Sequence, residues 1–146
     1  AAIYRPLNNI FLNGIMEKIR LNHICKKQIK KGKPGTRELL QLFKDGYSVA
    51  LMIDQRVSEG IQSKLFNRPA LTTTIPAQLV KKYNVDVVPV YIERKNGIYF
   101  KMYINKPIFF DENKPLEEIT DELNKILEEM ILKNPDQWIW SHDRWK

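Results

Sequence analysis

The sequence predicts an α/β fold, a mixed sheet with flanking helices, and three observations lead there. The run "YSVALMI" at 47–53 is apolar on both faces a strand presents, the pattern of a central strand covered from each side. The runs "DVVPVYIE" at 86–93 and "IYFKMYIN" at 98–105 flank Asn96 and Gly97, which tolerate positive φ and suit a tight antiparallel hairpin. Around these runs, apolar residues recur at helical spacing. With 146 residues, 43% of them hydrophobic, the chain can bury one core of ordinary size, so a single domain is expected.

Each element has a local reason. Leu7, Ile10, Phe11, Ile15 and Ile19 mark one face of a helix over about 9–21, with Asn8 or Asn9 as cap and Arg20 near its end. Thr36 is placed to cap a second helix carrying Leu39, Leu40 and Phe43, which Gly46 ends. The intervening "KKQIKKGKPG" at 26–35 is expected as a solvated loop, as is "QSKLFNRPAL" at 62–71. Thr72, Thr73 and Thr74 offer caps for a helix over about 75–83, with Pro76 allowed in its first turn. After the hairpin, Leu116, Ile119, Leu123, Ile126, Leu127, Met130 and Ile131 form one face of a long acidic helix that Asn134 and Pro135 terminate.

Composition narrows the partners. The lone Cys25 forms no internal disulfide and reads as a small packing residue. No stretch approaches the roughly 18 consecutive apolar residues of a membrane span, and no signal peptide pattern opens the chain. The net charge of +7 is uneven: residues 1–50 carry ten Lys and Arg against three acids, whereas residues 111–146 carry five against ten. A basic face on the first part of the chain therefore attracts phosphate-bearing or acidic partners. Nucleic acid is not expected among them, because no reading motif accompanies the charge.

Asp54, Gln55 and Arg56 follow the 47–53 run directly. In open α/β sheets the ligand crevice lies outside the carboxyl ends of the strands, so position makes these residues site candidates; a turn-capping Asp54 with a solvated Arg56 is the alternative. His23 and His142 form no metal-ligand spacing with Cys25 or with acids, and neither a metal nor a cofactor is expected. His142 reads as structural or surface.

Four stretches, in order, carry a resemblance: "YRPLNN" at 4–9 with Arg20 closing the next helix; "DQ" at 54–55 followed by Gly60; "LFNRPALTTT" at 65–74 with "VVPV" at 87–90; and the ending "PDQWIWSHDRWK" at 135–146. Together they resemble the lipid A biosynthesis acyltransferase family, the bacterial late acyltransferases. The resemblance implies a glycerolipid-acyltransferase-like partial domain over 1–146. It implies transfer of a fatty acyl chain from acyl carrier protein to a hydroxyl of a lipid A precursor, at the cytoplasmic face of the inner membrane.

Within that family an arginine at the spacing of Arg20 is catalytic, and its permanent charge and planar fork of donors suit a phosphate or a developing oxyanion. A structural Arg20, at the helix end or in an ion pair with Asp54, is the alternative. The same resemblance assigns Arg5, Asp54, Gln55 and Gly60 to substrate binding. It also implies a His-x4-Asp/Glu general base, which this chain lacks: Gln28 stands five positions after His23, and His142 lies too near the end. The family pattern lies upstream of "YRP", so the base and a membrane anchor are expected ahead of Ala1, with the chain inactive alone. Actinobacterial mannoside acyltransferases, which use acyl-CoA, are similar too. A basic domain that only binds anionic lipid or nucleic acid is the reading from another class.

Overall fold

A computed structural model describes the backbone of residues 1–146 and the side chains of all residues except Lys33, Pro34 and Thr36. The chain divides into two compact units, Ala1–Met52 and Ile53–Lys146. Helices and strands mix in both, and the strands pair two by two: one parallel pair and two antiparallel pairs.

In the first unit, β1 (Ala2–Tyr4) pairs in parallel with β2 (Gln28–Lys30), Ile3 opposite Ile29. Between them runs α1 (Ile10–His23), where Asn9 caps as expected, its Oδ1 accepting from the N–H groups of Phe11 and Leu12 at 3.0 and 3.2 Å. No residue of α1 is buried; Ile10 and Phe11 are almost wholly exposed. The expected solvated loop at 26–35 instead contains β2. Ile29, one apolar residue inside a run of lysines, is fully buried and draws the segment into the sheet. The second helix, α2 (Lys33–Lys44), buries Leu39 and Leu42, and Gly46 follows it at φ 83°. The Thr36 side chain, to which a cap was assigned, lies outside the described residues.

The central strand expected at 47–53 is not formed: Ala50 makes a single parallel bridge to Ala2, and Met52 stays three-quarters exposed. A ladder requires a neighbour along its length, and β1 is only three residues long.

The second unit is organised by α4 (Leu116–Lys133). Ile119 and Leu123 pack with Ala77 and Val80 of α3 (Ile75–Tyr83) and with Phe110, and Ile53, Val87 and Ile108 close around them. Helix α3 has the expected bounds, ending at Asn84 in the left-handed region.

The expected loop at 62–71 is instead a hairpin, β3 (Ile61–Leu65) and β4 (Arg68–Thr72). Phe66 and Asn67 turn it with φ of 50° and 58°, the double positive φ of a type I′ turn. Pro69 is tolerated opposite Lys64 in a two-stranded ribbon, where each strand is an edge.

The other hairpin, β5 (Val90–Asn96) and β6 (Tyr99–Ile104), forms as expected, turning at Gly97 with φ 54°. One face holds the stacked Tyr91 and Tyr103 rings, 5.9 Å apart; Val90, Ile92, Phe100, Met102 and Ile104 remain exposed, since two strands alone cannot cover both faces. Among the described residues no helix is long and apolar enough to cross a membrane.

A buried polar network joins α4 to the first hairpin. Asn124, fully buried, donates to Ser63 Oγ at 2.7 Å and to Thr72 Oγ1 at 3.0 Å; Ser63 Oγ donates to Asp121, and Glu128 accepts the Phe66 N–H. Two of the acids of this helix thus bind the hairpin rather than water. Replacing Asn124 by alanine removes two buried hydrogen bonds and opens a void. We expect a loss of about 2–4 kcal/mol, read as a lower urea midpoint at an unchanged m-value.

Candidate functional site

Candidate residues fall in each of the two units. In the first, the Arg20 guanidinium carbon lies 5.0 Å from the centre of the Tyr4 ring, a cation–π contact, and one terminal nitrogen, Nη1, is buried with no hydrogen-bond partner. A shielded Nη1 with no partner on a partly exposed guanidinium leaves a donor that suits an anion. Its backbone carbonyl closes the helix, accepting from the N–H groups of Ile24 and Cys25.

Tyr4 is fixed in turn, its hydroxyl donating to Glu17 Oε1 at 2.8 Å, where the Asn13 amide also donates at 2.8 Å. Those two donors, Tyr4 first, hold the Glu17 carboxyl below its usual range. Tyr4 is pushed above its usual range, first by desolvation and then by its bond to Glu17. Arg5, the neighbour of Tyr4, is exposed and lines a cavity with Pro6, Leu7, Asn8 and Lys31.

In the second unit, Asp54 is half-buried and its Oδ1 has no hydrogen-bond partner; Gln55 and Arg56 are exposed. Gly60 has a backbone reason. A Cβ there would overlap the Thr72 carbonyl and come within 2.7 Å of Val57 Cγ2, so only glycine lets this loop lie against β4.

The turn after Asp54 meets the carboxyl-terminal string, where the Arg56 N–H donates to His142 Nε2 at 3.2 Å. A ring nitrogen that accepts a backbone N–H holds the tail, which fits the structural reading of His142.

Arg144 is the residue the sequence reading passed over. It is fully buried, donating through Nη1 to the Leu71 carbonyl at 2.5 Å and through Nη2 to Thr72 Oγ1 at 2.8 Å. Burial pushes its guanidinium below the usual range, and the Asp54 carboxylate opposes that shift. Asp54 therefore has a cationic neighbour in its own unit. The signal was "WIWSHDRWK", an arginine among tryptophans: Trp138, Trp140 and Trp145 gather around Phe66 at centroid distances of 6.3–6.5 Å, and Trp145 Nε1 donates to the Leu65 carbonyl at 3.0 Å. Arg68, which adds a charge to the "LFNRPA" stretch, lies over the Trp145 ring at 4.9 Å.

The model of the bacterial lipid A biosynthesis acyltransferases matches residues 1–146. The chain belongs to that family. No curated protein matches the chain. Membership makes it part of an acyltransferase family of lipid A biosynthesis.

Two outcomes test these geometries. The Tyr4–Glu17 bond needs Glu17 ionised and Tyr4 protonated. Its contribution is present above the unfolded carboxyl pKa and lost as pH falls through the lowered Glu17 value; at high pH it is lost as pH rises through the raised Tyr4 value. In an NMR titration, Tyr4→Phe is expected to move the Glu17 midpoint upward, and an unmoved midpoint would show that Tyr4 is not its main donor. Separately, Arg144→Lys cannot reach both Leu71 and Thr72 with a planar fork. It should cost about 2–4 kcal/mol in urea denaturation and expose the tail to limited proteolysis.

Proposed function

We propose that this chain supplies the acceptor-binding and charge-stabilising part of an enzyme that moves a fatty acyl chain from acyl carrier protein to a hydroxyl of a lipid A precursor. Its working place is the cytoplasmic face of the bacterial inner membrane. The observation that carries this reading is the family match over the whole chain. The buried, unpartnered Nη1 of Arg20 and Oδ1 of Asp54 support it, since each leaves a charged group with capacity for a ligand.

In the reaction, the acceptor hydroxyl oxygen attacks the thioester carbonyl carbon while a general base takes its proton. The C–S bond then breaks, and the proton passes to the departing thiolate. Arg20 stabilises the negative charge that builds on the carbonyl oxygen. Asp54 and the exposed Gln55 hold sugar hydroxyls, Arg5 binds the acceptor, and Gly60 gives the loop its path. The base is the histidine of the His-x4-Asp/Glu pattern, which neither His23 nor His142 provides.

The test is acyl transfer by the full-length protein, with acyl carrier protein and CoA donors compared on a lipid A precursor. Arg20→Lys keeps charge but loses the planar fork, and about 10²–10³-fold lower kcat is expected with the fold intact. Asp54→Asn is expected to give a smaller loss. The 146-residue chain alone should be inactive. Near-normal turnover of both variants would remove these residues from the site, and a preference for acyl-CoA would reassign the donor.

A further inference from the structure

The ending at 135–146 supplies no group to the acyl transfer, yet it ties down the turn that carries Asp54 and Gln55. The Arg56 N–H, two residues after Asp54, donates to His142 Nε2 at 3.2 Å. Next along the chain, the Val57 N–H donates to the Leu71 carbonyl at 3.4 Å, and the same oxygen accepts from Arg144 Nη1 at 2.5 Å. A carbonyl oxygen has two lone pairs, so turn and tail share one acceptor on β4. Gly60 then brings the chain against the Thr72 carbonyl, while Arg144 Nη2 donates to the Thr72 hydroxyl at 2.8 Å.

The tail is anchored independently of the turn. Arg144 is fully buried, Trp145 Nε1 donates to the Leu65 carbonyl at 3.0 Å, and the Trp138 and Trp145 rings meet edge to face at 5.9 Å. The His142 N–H also donates to the Ile139 carbonyl at 3.1 Å. The turn is the weaker partner. Its other N–H bonds, Val57 to Leu71 and Gly60 to Val57, are both 3.4 Å, longer than an ordinary N–H···O bond, so the contact with His142 is the shorter restraint on its backbone.

We propose that His142 and Arg144 are positioning residues, through which the carboxyl-terminal tail holds the Asp54–Gln55 turn in the shape that presents both side chains to the glycolipid acceptor. Neither touches the reacting atoms. His142 acts through the backbone at Arg56, and Arg144 through the acceptors on β4 that the turn lies against. A shift of about 1 Å in a substrate-positioning group is enough to slow catalysis, and two long backbone bonds do not prevent one. Assigning Asp54 and Gln55 to the acceptor rests on the acyl-transfer reading; the hold of the tail on the turn does not.

The experiment is steady-state acyl transfer by the full-length protein, with lipid A precursor and acyl donor varied in turn, beside an NMR record of the Arg56 amide. His142 is exposed, so its substitution leaves the core intact. His142→Phe keeps a ring and loses the acceptor, whereas His142→Gln retains an acceptor in its amide oxygen. His142→Phe is expected to shift the Arg56 amide and to raise KM for the lipid A precursor by about 3- to 10-fold, with KM for the acyl donor unchanged. His142→Gln should restore both. In an Asp54→Asn background His142→Phe should add little, because the tail acts through the turn. An unmoved Arg56 amide, or an equal rise in KM for the donor, would overturn the proposal. Impaired transfer by Asp54→Asn beside normal transfer by His142→Phe would overturn the positioning alone. A full-length protein that acylates no lipid A precursor, or an Asp54→Asn variant that transfers normally, would overturn the acyl-transfer reading and the proposal with it.

Discussion

The second unit depends on one hydroxyl. Thr72 Oγ1 donates to the Ala70 carbonyl and accepts from Asn124 on α4 and from Arg144 in the tail, three partners for a side chain that is almost fully buried. Helix, hairpin and carboxyl terminus thus meet at a single buried atom whose hydrogen-bonding capacity is filled. The tryptophan cluster around Phe66 adds apolar contact, but it has no direction of its own. The polar bonds fix which way the tail runs, and with it where His142 meets the turn after Asp54.

That arrangement explains which parts of the fold were legible in the sequence. Helices α1, α3 and α4 announce themselves by period, and their bounds are close to those expected; Asn9 caps α1, whereas α3 and α4 begin without a side-chain bond from their N-cap residues, Thr74 before α3 included. The β3–β4 hairpin was illegible for a physical reason. Its inward positions include Ser63, Ala70 and Thr72, small or polar residues that belong inside only because α4 presents Asn124 to them. Its turn uses Phe66 and Asn67, without the glycine that usually marks double positive φ. Conversely, "YSVALMI" has a strand's pattern, yet a pattern cannot supply the neighbour that a ladder needs.

The candidate site divides in the same way. Arg20, Asp54 and Gly60 are candidates through motif and position; Arg20 and Asp54 each keep a buried atom with no hydrogen-bond partner, and Gly60 is required by its close approach to Thr72. Arg144 was not visible. Arg144 is a charge buried by partners more than 70 residues away. Local pattern reveals what a residue can do, and long-range contacts decide which of several equivalent residues does it.

The Phe66–Asn67 turn also limits how this stretch can change over generations. Side chains alternate along the ribbon, so deleting or inserting one residue in either strand beyond the turn would exchange its faces, sending Lys64 toward Asn124 and Ser63 toward water. A two-residue change would preserve the alternation and only lengthen or shorten the ribbon. Length variation among close descendants of this chain should therefore be excluded between Ile61 and Thr72 unless it comes in pairs, even though the stretch looks, by composition, like a permissive surface loop.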